Sequence, residues 1–281
     1  MKLSCIVVIL AGCLEAQTGT RGIVPEEVMR ARPRQNAGVQ AAPPKYVPLP
    51  APEGVPRLAT RQLGVTVWRL RAATESDQGA RILVQEESGT TTWIPERVSS
   101  TTHLLPGDRL RLTFESPEPG YLYAIDRERY ATGERGTPYL IFPTTRTRNG
   151  DNQVAPGKLI DVPAQDDRPN FFTMHKSRAD QVEEEITVLL APKLLEGVQI
   201  GPSALPLTTE QVTNWEKQWK GRFEIFELAG GGGKTWSAVE QSAAAGGTRL
   251  LTQDDPAPQT VYRVESRPNE PVLITVRLRY R

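Results

Sequence analysis

The sequence predicts a mainly β protein: an antiparallel, immunoglobulin-like β-sandwich with two short α-helices inserted before the last strands. Three observations carry that expectation. Between Gly107 and Pro192, short alternating or wholly apolar runs are each closed by glycine, proline or asparagine, the pattern of consecutive strands joined by turns. The apolar period lengthens to a helical one only after Pro192, then returns to alternation near the carboxyl end. Both cysteines, Cys5 and Cys13, fall in the first thirteen residues, so the rest of the chain must be held by packing, without disulfides or thiolate metal sites.

Composition bounds the function. The 34 basic and 33 acidic residues of the 281 leave a net charge of +1, which offers no basic stripe for nucleic acid. Hydrophobic residues are 38% of the chain, and its 23 glycines bring the total close to the roughly 45–50% of ordinary globular domains.

At the amino end, Lys2 precedes an apolar run from Cys5 to Ala11, which reads as a signal peptide over residues 1–16, too short to span a bilayer. Leu10-Ala11-Gly12-Cys13 fits a lipoprotein signal with Cys13 lipidated; cleavage after Ala16 is the alternative, with Leu14 at a site that favours small residues. Either outcome exports the protein, to the periplasm, to a lipid anchor on the envelope, or to the medium. Residues 17–56 carry eight prolines and read as a flexible tether, extended as polyproline II over Val47-Pro-Leu-Pro-Ala-Pro. The folded domain is expected over residues 57–281.

Within it, Gly64 to Arg71 reads as a strand with two partly apolar faces. Ala80 to Glu86 and Thr91 to Pro95 follow, joined across Ser88-Gly89. Arg109 to Glu115 sets Leu110, Leu112 and Phe114 against Arg109, Arg111, Thr113 and Glu115, a half-buried strand with a solvent face. Strands are next expected at Gly120–Asp126, Tyr139–Pro143, Lys158–Pro163 and Ile186–Pro192. Val212, Trp215 and Trp219 then recur at helical spacing, with Thr208 as cap, Gln211 completing a capping box and Leu207 stapled to Val212. A strand from Arg222 to Leu228 precedes a second helix from Thr235, which sets Trp236, Val239 and Ala243 on one face and ends at Gly246. Strands Thr260–Glu265 and Pro271–Arg279 close the chain, the last tied into a sheet.

Few motifs point to chemistry. Gly230-Gly-Gly-Gly-Lys-Thr has Leu228 where a phosphate loop needs its first glycine, and is read as a flexible strand-to-helix connection. His103 and His175 are the only histidines; Ser177 and Asp180 lie near His175 in sequence, but a triad is a matter of spatial geometry. Neither a cofactor nor a metal site is expected. Calcium is the open question at the acidic turns Asn149–Asn152, Asp166-Asp167 and Asp254-Asp255, although Asn149-Gly150 is also a hairpin turn signal. Tyrosines 121, 123, 130 and 139 crowd a region rich in arginine, residue types that favour interfaces. The expected binding surface is therefore the loop region carrying Tyr130, Arg146, Arg148, Asn149, Asp151 and Asn152. A paired-carboxylate hydrolase would instead draw on Asp126, Glu128 or Asp151.

The ordered pieces Pro106-Gly-Asp-Arg-Leu-Arg-Leu, Gly120-Tyr-Leu-Tyr-Ala-Ile-Asp, Leu140-Ile-Phe-Pro, Asn152-Gln-Val-Ala-Pro-Gly, Ile160-Asp-Val-Pro and Ile186-Thr-Val-Leu-Leu resemble a bacterial family, domain of unknown function 4384 (DUF4384). The resemblance covers about residues 107–195. Glu183-Glu-Glu stands where that family usually has a glycine before its last strand, so that loop is expected to differ. The resemblance implies an exported β-sandwich module with no established activity and no catalytic residues to transfer. The expectation is an uncharacterised, non-enzymatic binding or scaffold module of the cell envelope, contacting an envelope protein or glycan through loops. No nucleic acid is involved, and membrane contact is limited to a lipid at Cys13. The alternative is an extracytoplasmic, carboxylate-dependent hydrolase of polysaccharide or cell wall.

Overall fold

The computed structural model describes residues 24–34, 58–77, 79–86, 89–246 and 249–281. The signal segment, Cys13, the polyproline run and Ser88 lie outside the described residues. In chain order the elements are α1 (Val24–Ala31), β1 (Ala59–Ala72), β2 (Ile82–Glu86), β3 (Gly89–Val98), β4 (His103–Leu104), β5 (Arg109–Glu115), β6 (Gly120–Tyr130), β7 (Tyr139–Phe142), β8 (Gln153–Val154), β9 (Leu159–Val162), β10 (Phe172–Thr173), β11 (Gln181–Ala191), β12 (Leu205–Pro206), α2 (Thr209–Trp219), β13 (Arg222–Glu227), α3 (Ala238–Ala244), β14 (Thr260–Ser266) and β15 (Val272–Tyr280).

Two sheets face each other as a β-sandwich. The first runs β10-β5-β1-β14-β13, with β3 beside the far half of β1, β2 on β3 and β9 on β5. The second runs β12-β7-β6-β11-β15-β4, with β8 on β6. Among the described residues the pairings of named strands are antiparallel except β15 with β4. Side chains alternate across each strand, so Leu110, Leu112 and Phe114 of β5 meet Leu122, Ala124, Val188, Ile274 and Val276 of the second sheet. Each such burial contributes about 1.5–3 kcal/mol. The last strand is tied in as expected, paired with β11 from Val272 to Arg279.

The outer face of the second sheet is covered by α2. Thr208 accepts a hydrogen bond from the Gln211 amide and so caps the helix. Leu207 and Val212 pack with Tyr123, Ile125, Leu189 and Leu273, flanked by Trp215 and Trp219. The shorter α3 begins three residues later than the sequence predicts. Ser237 and Glu240 form a reciprocal capping box there, a Ser-x-x-Glu signal that was present to be read.

The expected solvent face of β5 is not exposed. Arg111, Thr113 and Glu115 are all buried, because a third layer lies over the first sheet. That layer joins Trp236, Ala243, Ala244 and Leu251 to Trp68, Leu70, Ile82 and Val84. Burying charge is costly unless it is paired and hydrogen-bonded, and here it is. Arg111 donates to Asp161 at 2.8 Å and to the Asn170 carbonyl at 2.9 Å. The Thr113 hydroxyl donates to Asp161 at 2.6 Å while accepting from Trp68 Nε1 at 2.8 Å. Arg97 pairs with Glu240, the capping residue of α3. The Gly230–Lys234 connection, expected to be flexible, is stitched to β3: Gly233 donates to the Arg97 carbonyl and Arg97 to that of Lys234, both at 2.9 Å.

The tether expectation also needs correction over residues 24–34. Val28 of α1 packs on Val261 and Phe226. Arg32 is buried and donates to both Glu115 oxygens at 2.6 and 2.7 Å, and to the carbonyls of Thr252, Asp255 and Pro256. A guanidinium with five donors suits such a site, where a bidentate carboxylate and a ring of carbonyls converge.

Candidate functional site: an acidic mouth between the sheets

Where β6 and β11 run out beyond the core, their inward positions change from apolar to acidic. On β6, Leu122 and Ala124 face the interior, so the period of two brings Asp126 and Glu128 to the same face. On β11, Ile186 and Val188 face inward, and so does Glu184. Glu184 is directly opposite Glu128, and Ile186 opposite Asp126. The register shifts between Gln181 and Glu183. A bulge of this kind re-aims side chains, and here the buried Gln181 donates from Nε2 to Glu184 Oε1 at 2.7 Å. The Tyr280 hydroxyl is shared between the His175 carbonyl at 2.7 Å and Glu184 Oε1 at 3.2 Å. The Tyr130 hydroxyl hydrogen-bonds Glu128.

Two carboxyl oxygens at this mouth are shielded from solvent and have no partner among the described residues: Asp126 Oδ1 and Glu184 Oε2. Burial pushes both groups up, Asp126 to about 6 and Glu184 to about 8, with the negative charge of Glu128 adding to each and that of Asp126 adding to Glu184. Around neutral pH the pair therefore retains a proton, with burial favouring it on Glu184.

The same two carboxyls line two spaces. Outward lies an open mouth of about 440 Å³ bordered by Glu128, Tyr130, Arg135, Thr137, Tyr139 and Arg178. Inward lies a chamber of about 140 Å³ walled mainly by apolar side chains. The guanidinium of Arg178 sits over the Tyr130 ring at 3.9 Å and bridges to Glu134 and Asp180. Gly136 donates its amide to the Glu128 carbonyl, and a Cβ there would lie 2.7 Å from Glu128 Oε2, so glycine permits this close approach.

On the outer face of the same rungs the charges are fully paired. Arg127 and Arg135 hold Glu216 of α2, while Arg129 and Arg135 hold Glu185 at 3.0 and 2.9 Å. An apolar groove elsewhere, at about 270 Å³ larger than the chamber but smaller than the mouth and lined by Phe223, Tyr262 and Val276, has no carboxyl group in its lining. Pockets that combine apolar walls with a few convergent polar groups are the better site candidates.

The loop surface expected from the sequence is not one surface. Tyr130 is buried at the mouth, at the opposite end of β6 from β8, which pairs at Gly120 and Tyr121. Asn152 is buried and donates to the Leu122 carbonyl. Arg146 and Asn149 are exposed, Arg146 donating to the Arg168 carbonyl. Arg148 and Lys158 both pair with Asp151. Arg148, Asn149 and Gly150 all have positive φ, 54°, 55° and 82°. This makes a left-handed turn, but the flanking strands β7 and β8 pair with β6 and not with each other as a hairpin.

Asp167 and Asp255 in the other two acidic turns are likewise engaged by the protein's own donors. Asp167 accepts from Thr147 and the Ala164 amide, and Asp255 from Thr252. No group of three or more His, Cys, Asp or Glu side chains placed to hold a metal ion occurs among the described residues. His175 and Ser177 make no hydrogen bond to each other, and Asp180 is held by Arg178.

Sequence reasoning named Asp126 and Glu128 as candidate carboxylates but missed Glu184, Gln181 and Tyr280. The signal for Glu184 was in hand. Glu183-Glu-Glu runs directly into the apolar Ile186–Leu190, and alternation puts the middle glutamate on the face of Ile186. Read as a loop, it is in fact part of β11.

No protein-family model, curated protein or solved structure matches this chain. The resemblance to domain of unknown function 4384 rests on the short motifs alone. No helix among the described residues is long and apolar enough to cross a membrane.

Proposed function

We propose that this chain is an exported, non-enzymatic β-sandwich binding module of the bacterial cell envelope, and that its ligand enters the mouth bordered by Asp126, Glu128 and Glu184. The observation that carries this reading is the pair of shielded carboxyl oxygens without partners, Asp126 Oδ1 and Glu184 Oε2. A buried polar atom left unsatisfied is costly, and a ligand hydroxyl would satisfy it. A protonated carboxyl donates and an ionised one accepts, so together they match the alternating donors and acceptors of a glycan or another hydroxylated molecule. The basic start, short apolar run and Cys13 support export, with membrane contact only through a lipid on that cysteine. The motif resemblance to domain of unknown function 4384 supports the same setting.

The test is calorimetric titration of the mature chain with envelope polysaccharide fragments. Saturable binding that is lost in both Asp126→Asn and Glu184→Leu supports the reading. Binding that survives both substitutions removes it from the mouth. Growth with labelled fatty acid checks Cys13, label in the wild type and none in Cys13→Ala being the lipoprotein outcome.

One observation favours a second reading. Two carboxyls held at different values, about 6 and about 8, resemble the division of labour between base and acid in a glycosidase. Release of reducing ends from the same fragments, abolished in Glu184→Gln, would move the protein into that class.

A further inference from the structure

We propose that the chamber behind Asp126 and Glu184 takes a benzene-sized apolar group bearing a hydroxyl, so that the ligand of this mouth is an aromatic alcohol or phenol, free or as part of a larger molecule. This inference rests on the mouth being the binding site and specifies what reaches its floor.

Protein interiors leave few voids larger than a water molecule. The chamber measures about 140 Å³, walled by Leu110, Leu112, Ile141, Phe172, Ile186 and Leu278 among others. A cavity of about 150 Å³ lined by such residues stays dry and binds benzene. Seven of its eleven lining residues are apolar, so it offers an apolar occupant a large contact area. Thr173, His175, Asp126 and Glu184 complete the lining, and Asp126 and Glu184 face both the chamber and the open mouth.

The hydrogen-bond pattern there assigns roles. Glu184 Oε1 already accepts from Gln181 and shares the Tyr280 hydroxyl with the His175 carbonyl. Oε2 is the oxygen that has no partner among the described residues, and there the proton that burial favours on this side chain can serve a ligand. Asp126 Oδ1 is an acceptor without a donor. A single hydroxyl placed between them accepts from the first and donates to the second. Glu128, which also faces the pair, is engaged by Tyr130. An aromatic ring carrying that hydroxyl puts its apolar body in the chamber and its polar end on the two carboxyls. A plain sugar leaves the chamber unfilled.

The experiment uses the mature chain, with benzyl alcohol, phenol and toluene as probes, read by methyl NMR shifts. Benzyl alcohol and phenol should shift the methyl signals of Leu110, Leu112, Ile186 and Leu278. Toluene should bind about tenfold more weakly, the worth of one added hydrogen-bonding group. Glu184→Leu should erase that difference. Leu112→Phe should fill the chamber and abolish binding of all three, and Ile141→Phe, at the half-buried β7 position of the lining, provides a second filled variant should the first fold poorly. Equal binding by the filled variants, or no chamber shift with any probe, overturns the inference. Loss of the aromatic probes alongside retained polysaccharide binding would reject the chamber and leave the mouth reading standing. Aromatic binding without any polysaccharide binding would keep the chamber and remove the glycan as the ligand of the mouth.

Discussion

The third layer over the first sheet and the mouth between the sheets bury the same kinds of residue to opposite ends. Over the first sheet, Asp161, Glu115 and Glu240 each meet an arginine, and Thr113 and Trp68 complete the hydrogen bonds around Asp161. At the mouth, Asp126 and Glu184 pair with no arginine among the described residues, and each keeps an oxygen unsatisfied there. The first arrangement holds layers together, with every charge closed upon a neighbour. The second retains unspent hydrogen-bonding capacity at the edge of an open space, where natural sequences usually depart from local consistency for a functional reason. Burial of acids alone does not distinguish a site from a structural network; the completeness of their pairing does.

The largest expected effect breaks the closed network. Asp161→Ala leaves Arg111 buried without its carboxylate and should cost about 3–5 kcal/mol, read as a shift in the urea midpoint. Asp126→Asn at the mouth, by contrast, removes a poorly compensated charge and should leave the midpoint unchanged or raised. If both variants lose stability equally, the contrast between the two regions fails. Arg32→Met should cost about 3 kcal/mol by stranding Glu115. It should also expose residues 24–34 to trypsin, which time-resolved digestion followed by mass spectrometry would show.

The pH dependence sharpens the same comparison. Glu184 is raised from an ordinary 4.5 to about 8, so the folded state binds its proton more tightly than the unfolded chain does. The stability this contributes is complete below about pH 4 and is lost as pH rises through 8. Glu184→Gln should flatten that decline, gaining about 2 kcal/mol over the wild type at pH 8 once the partial exposure of the group is allowed for, and nothing at pH 4. Melting curves across that range would check it; parallel curves for the two proteins would place the titration elsewhere. The smallest effect tests α2, away from both regions: Thr208→Ala should cost about 1 kcal/mol through the lost cap, measured by the same denaturation, with the decline in stability with pH unchanged.

The strands were legible because a period of two survives any surroundings. Leu110, Leu112 and Phe114 declared the inner face of β5 without help. What covers the other face was not legible, since Arg111 and Glu115 look the same in sequence whether they meet water or a buried partner. Their partners Asp161 and Arg32 lie 50 and 83 residues away, beyond any local pattern. The mouth was half legible. Asp126 and Glu128 were named as carboxylates beside Asp151, which lies elsewhere, whereas Glu184 was concealed by expecting a loop where β11 had already begun. Tyr130 was chosen for its neighbours in sequence, Arg146 to Asn152, which the strand direction carries to the other end of the sheet.

The seating of Arg32 bears on how this protein can be cut down for study. A fragment begun at residue 57 would strip Glu115 of the one arginine it pairs with among the described residues and open the floor formed by the carbonyls of Thr252, Asp255 and Pro256. The practical boundary lies upstream of Val24. A short fragment should be rescued by adding residues 24–34 back as a separate peptide.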